Sequence, residues 1–197
     1  MILTLHATKA YTGLIESPRS RDWLIAGIGD DVMKRVAIIM GSDSDLKVMQ
    51  GAMDTLKTLE IPFCVRILSA HRTPDVAAAF ARQARDAGFG AIIAAAGKAA
   101  HLAGAMAANT ILPVIGVPMK SSTLDGLDAL LSTVQMPSGI PVATVAIDGA
   151  VNAALLAAQI IALSDEKLAC RFADYRESQR AKVEEKDARI SEEYSCL

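Results

Sequence analysis

The chain of 197 residues has few aromatics, few cysteines and no strong excess of either charge. Aromatic residues make up only 4%, so alanine and aliphatic side chains supply most of the apolar content. That composition suits helices packed closely on a sheet, and large subunit interfaces. Cys64, Cys170 and Cys196 lie far apart with no C-x-x-C pair. This argues against a disulfide framework or a cysteine zinc site and favours a reducing cytosol. Only 3 histidines occur, with no clustered acids beside them, so no metal site is expected. With 20 basic against 22 acidic residues there is no bulk attraction to nucleic acid or to an anionic membrane. The longest apolar stretches, 151–163 and 111–119, fall short of the ~20 residues that span a bilayer. Hydrophobic residues, by contrast, make up 52%, enough for a sizeable core and against disorder.

Residues 1–33 do not share the rhythm of the rest. They carry Trp23, His6 and the acids Glu16, Asp22, Asp30 and Asp31, with neither the apolar core of a signal peptide nor the composition of a transit peptide. Two readings stay open. One is a loosely attached extension arising from an upstream start, since Met33 stands directly before Lys34-Arg35. The other is a peripheral segment packed on a neighbouring subunit.

From Val36 the pattern alternates short apolar runs with helical ones. VAIIM at 36–40, ending in Gly41, reads as a buried parallel strand. Residues 45–59 read as a helix with Leu46, Met49, Met53, Leu56 and Leu59 on one stripe. Strand 63–68 follows Pro62. Thr73-Pro74 then marks a helix start, with Thr73 as N-cap, running to about residue 87 before Gly88. Further strands are expected at 91–95, 114–117 and 142–147, and further helices at 102–109, 125–134 and 151–163. This succession without hairpin signals implies a three-layer α/β/α domain of flavodoxin-like type over 34–164, with a five-stranded parallel sheet. Residues 165–197 form a charged C-terminal helix with Leu168, Phe172 and Tyr175 on one stripe. Beyond Arg176 only Val183 and Ile190 interrupt the polar run, so it is either a solvated face or a helix reaching across to another subunit.

In open α/β sheets, ligands bind beyond the carboxyl ends of the strands, where the strand order reverses. For the order 2-1-3-4-5 that rule selects three loops: GSDSD at 41–45, SAHRTP at 69–74 and GKAAH at 97–101. Ser42 and Ser44 at a helix start offer hydroxyls and N–H groups to an anion. Arg72 adds a permanent charge suited to phosphate. Asp45 would repel phosphate and should instead accept hydrogen bonds from sugar hydroxyls. Taken singly, each serine is equally an ordinary cap; together the loops suggest a phosphorylated sugar or nucleotide. His71 is the proton-transfer candidate, while His101 reads equally as a packing residue or a ligand contact. The three loops hold no aromatic residue to stack on a flavin ring.

Six segments carry a resemblance: GSDSD (41–45), SAHRTP (69–74), AAHLAG (99–104), PVIGVP (113–118), VQMPSGIPVATVAI (134–147) and NAALLAAQI (152–160). Together, over 36–172, they resemble the catalytic subunits of phosphoribosylaminoimidazole carboxylase, whose bacterial form is an N5-carboxyaminoimidazole ribonucleotide mutase of purine biosynthesis. The resemblance implies a flavodoxin-like cytoplasmic homo-octamer with a small ribonucleotide substrate and neither cofactor nor metal. It also implies transient contact with the ATP-dependent carboxyaminoimidazole ribonucleotide synthetase. Ser42, Asp45 and Arg72 would bind the nucleotide, with Ser44 and Ser69 assisting at the phosphate. Gly97, His101 and Leu102 would border the imidazole and carboxylate, with His71 as acid–base. Two departures from the usual loop stand out. Lys98 replaces a glycine, which makes φ > 0 costly there and brings a cation near the substrate carboxylate; Ala103 replaces a proline. Members that carboxylate aminoimidazole ribonucleotide directly tend to carry lysine after the first histidine and to lack the second, so Arg72 and His101 favour the mutase.

Overall fold

The computed structural model describes residues 33–122 and 124–195. The readings of residues 1–32 and of Cys196 therefore lie outside the described residues. β1 (Arg35–Met40), β2 (Phe63–Ile67), β3 (Phe89–Gly97), β4 (Val114–Met119) and β5 (Ala143–Thr144) form one sheet in the order β2-β1-β3-β4-β5. All four strand pairings are parallel. The reversal of order falls between β1 and β3, as expected.

The unbroken apolar strands are explained by cover on both faces. Side chains alternate along a strand, so Val36, Ile38 and Met40 enter one core while Ala37 and Ile39 enter the other. The first core is closed by α1 (Leu46–Thr58) and α5 (Ala150–Ala162). The second is closed by α2 (Pro74–Ala84) and α3 (Leu102–Ala107) through Phe80, Ala81, Ala84, Leu102 and Met106. Ala150, Ala153, Ala154, Ala157 and Ala158 of α5 are all buried. Small side chains let this helix lie close to the sheet, which is how so few aromatics fill the interior. Over β4 the fit is closer still. A Cβ on Gly116 would stand 2.3 Å from Thr133 Cγ2 on α4 (Leu127–Val134).

Several expected elements change. The strand expected at 142–147 contracts to Ala143–Thr144. It is an edge strand behind Pro141, and the chain leaves the ladder towards Asp148, whose φ is 56°. β3 lengthens to Phe89–Gly97 because partners flank it on both sides. The first helix opens as a 3-10 turn at Asp43–Asp45. Leu46, expected on its buried stripe, is 46% exposed, since this first turn lies beyond the end of the sheet. Thr73 does not cap α2 with its side chain. Its hydroxyl is taken instead by Ser69, accepting from the Ser69 N–H at 3.0 Å and donating to the Ser69 carbonyl at 3.2 Å. α2 ends at Ala84, with turns to Gly88 at φ 82°. The helix expected from 125 begins at Leu127, because Leu124, Asp125 and Gly126 all have positive φ.

α6 (Glu166–Glu193) is capped by the Asp165 carboxylate, which accepts from the Leu168 N–H at 2.9 Å. Leu168 and Phe172 are buried and Tyr175 is half-buried, matching the expected stripe. Arg171 ties the helix to the end of α1 by donating to the Leu59 carbonyl at 2.9 Å. From Arg176 to the last described residue every side chain is exposed.

Candidate functional site

The loops after β1, β2 and β3 meet in a cleft of about 540 Å³ at the carboxyl edge of the sheet. Ser42, Ser44, Asp45, Ser69, His71, Arg72, Gly97 and Leu102 all line it. His101 does not line it but bonds His71, which does. A fourth wall, Met119 to Ser122 after β4, was missed by reasoning from the sequence. The signal was available: β4 neighbours β3, so its carboxyl end had to open on the same edge.

The β1 loop forms because Ser42 is extended (φ −152°, ψ 158°) and its hydroxyl oxygen accepts from the Ser44 N–H at 3.3 Å. That starts the 3-10 turn, in which the Asp45 and Leu46 N–H groups donate to the Ser42 and Asp43 carbonyls. The Ser42 hydroxyl also donates to Asp43, at 3.1 Å. The Ser44 hydroxyl donates to Asp45 Oδ1 at 3.2 Å. Asp45 is only 8% exposed, and burial pushes its carboxyl above the usual carboxylate range, with Asp148 and Asp43 adding to the rise. Hydrogen bonds from Ser44 and Ser42 oppose it in part. A desolvated carboxylate with few donors around it is suited to sugar hydroxyls.

The β2 loop is a knot on Ser69. Its hydroxyl oxygen accepts from the N–H groups of His71, at 3.3 Å, and Arg72, at 3.1 Å. Ser69 thus fixes the backbone that carries both residues. Arg72 Nη2 crosses to the β1 loop and donates to the Gly41 carbonyl at 2.9 Å, holding the guanidinium beside the serines.

His71 Nε2 lies 2.9 Å from His101 Nδ1, with the rings edge to face at 81°. One nitrogen must donate and the other accept, so the pair can pass a proton along its shared bond. Nδ1 of His71 makes no hydrogen bond among the described residues and is the ring nitrogen left for a ligand. His101 reaches this position because two successive tight turns precede it, Ala100 N–H to Lys98 carbonyl and His101 N–H to Ala99 carbonyl. Lys98, where the first of these turns begins, has a φ of 55°. The conformation that would be costly at this position is thus the one it adopts. Ala103, the other departure, is buried in the second core.

Lys120 shows how the fourth wall is held. Its N–H donates to Asp148 at 2.9 Å, and its ammonium pairs with Asp125 at 3.3 Å. Among the described residues no group of three or more histidines, cysteines or acids is arranged to hold a metal. No helix there is long and apolar enough to cross a membrane.

A family model described as AIR carboxylase matches residues 35–182. The N5-carboxyaminoimidazole ribonucleotide mutase of Brucella melitensis is 59% identical over 153 residues, 77% of this chain and 94% of that protein. The protein of the same name from Pyrococcus horikoshii is 54% identical over 157 residues, 80% of this chain and 89% of that one. The crystal structure of Treponema denticola PurE matches with a TM-score of 0.72 at 34% identity, covering 80% of this chain and 98% of that chain.

Proposed function

The chain belongs to the AIR carboxylase family, and from that premise we propose that it converts N5-carboxyaminoimidazole ribonucleotide to 4-carboxy-5-aminoimidazole ribonucleotide in purine biosynthesis. The observation that carries this reading is the His71–His101 pair, set across the cleft edge from the anion-binding serines. The phosphate lies against Ser42, Ser44 and Arg72, and Asp45 accepts from the ribose hydroxyls. Gly97 and Leu102 border the imidazole.

His71 then does two opposite things. As an acid it gives a proton to the carbamate nitrogen; the N–C bond breaks and its electrons stay on nitrogen, releasing carbon dioxide into the cleft. The ring carbon attacks that carbon dioxide, forming the new C–C bond. His71, now neutral, takes the ring proton and aromaticity returns. One proton goes to the nitrogen and a different one comes from the ring carbon, so His71 ends protonated as it began and the cycle consumes no other reactant. His101, bonded to Nε2, orients the ring and relays the proton. Holding two fragments in one site supplies much of the remaining advantage.

The active form in this reading is a cytoplasmic homo-octamer, with transient delivery of substrate from the ATP-dependent synthetase. Leu127, Leu131 and Val134 support assembly, since they repeat along one side of α4 and are each close to half exposed. The exposed end of α6 is a second candidate for contact with a neighbouring subunit. The decisive experiment follows 4-carboxy-5-aminoimidazole ribonucleotide by ultraviolet absorbance from two starting materials. Turnover of N5-carboxyaminoimidazole ribonucleotide without bicarbonate, abolished in His71→Asn, is expected. Turnover of only aminoimidazole ribonucleotide with bicarbonate would make the enzyme a direct carboxylase.

A further inference from the structure

Three cations line the cleft, and two of them are engaged. Arg72 is bound to the Gly41 carbonyl, and Lys120 is paired with Asp125. The Lys98 side chain is exposed and makes no hydrogen bond or ion pair among the described residues. It also stands where a side chain is costly. A φ of 55° puts a Cβ near its own carbonyl oxygen, a conformation unfavourable for a residue other than glycine. Lys98 opens the first of the tight turns that deliver His101 to His71. A residue free to be glycine carries an ammonium group instead.

Position decides which anion that group meets. The phosphate end of the cleft is served by the β1 loop and by Arg72, tethered to it. Lys98 lines the cleft from the β3 loop, three residues before His101, which bonds His71. The migrating carboxylate must stay within reach of His71 throughout the reaction. We propose that Lys98 binds this carboxylate and is the residue by which the cleft selects carboxylated over uncarboxylated aminoimidazole ribonucleotide. This rests on the mutase reading and adds a determinant of specificity to it. The contact exists in substrate and product and lapses while the group is neutral carbon dioxide. It is therefore ground-state binding, which governs KM more than kcat.

The test measures binding of 4-carboxy-5-aminoimidazole ribonucleotide and of aminoimidazole ribonucleotide to the full chain by calorimetry. It compares the unmodified protein with Lys98→Met and Lys98→Gly. The unmodified protein should prefer the carboxylated nucleotide, and both variants should lose roughly five- to tenfold of that preference, as expected for one partly screened charged hydrogen bond. Affinity for the uncarboxylated nucleotide should not change. KM for N5-carboxyaminoimidazole ribonucleotide should rise by a similar factor, with kcat rising rather than falling, so that kcat/KM changes less than KM does. Lys98→Gly should also melt at a higher temperature, which separates loss of charge from any folding defect. Equal weakening of both nucleotides would assign Lys98 to the phosphate and overturn the proposal, as would an unchanged preference with turnover intact. Failure of the unmodified protein to bind either nucleotide or to form product would remove the mutase reading itself.

Discussion

The alanine-lined contact of α5 with the sheet and the loops at the carboxyl edge follow opposite rules. In the first, every feature favours folding: small buried side chains, no charge, ordinary backbone. In the second, a carboxylate is buried, a lysine is left-handed and two histidines share one hydrogen bond. The site is stable only because the strands beneath it are over-determined by packing on both faces. Substitutions in the loops should therefore change function with little loss of stability, or even a gain. Substitutions in the packed layers should do the reverse.

The sharpest break in that contrast is His71→Asn. It should lower kcat by about 10²–10⁴ through loss of the proton carrier, while the melting temperature stays the same, because His71 is exposed. Gly116→Ala is its mirror image. The new methyl would sit 2.3 Å from Thr133 Cγ2, with Val142 and Ala103 closing the other sides. A loss of about 1–3 kcal/mol is expected from overpacking, read by denaturant unfolding. Adding Thr133→Ser, which deletes the opposing methyl, should restore part of it.

Arg72→Lys tests the coupling between two loops. An ammonium cannot both donate to the Gly41 carbonyl and present a planar fork to phosphate. KM should rise roughly tenfold, with a smaller change in kcat. Asp45→Asn has the smallest expected effect and the most telling sign. Burial raises the folded-state pKa of Asp45, so the stability it contributes is complete below the usual carboxylate range. That contribution is lost as pH rises through the raised value. The asparagine variant avoids the loss and should gain about 0.5–1 kcal/mol on the wild type at neutral pH. The gain should fade on acidification, and nucleotide binding should weaken throughout. Melting curves between pH 4 and 7 give the sign directly.

Much of the fold was legible because its determinants are local. A short run such as 36–40, apolar at both parities and closed by Gly41, fits a strand covered twice, and Thr73-Pro74 marks where a helix starts. The same signals put Ser42, Asp45, His71 and Arg72 at strand ends, and a general rule for parallel sheets placed those ends together. Where partners were non-local, reading the chain ran short. β5 shrank because an edge strand has one neighbour, Thr73 turned to Ser69 rather than to its own helix, and the loop after β4 entered the cleft unforeseen.

By itself, the sequence determined the succession of strands and helices, the double burial of the sheet and the polar groups at its carboxyl ends. These follow from periodicity, proline and glycine, which act over a few residues. Only the tertiary structure decided that His71 and His101, 30 positions apart, share a 2.9 Å hydrogen bond and that Arg72 reaches the Gly41 carbonyl. It also decided that Lys98 has positive φ beside them. Those relations depend on strand order and on the exact height at which each loop leaves the sheet. Pairing between distant segments sets both.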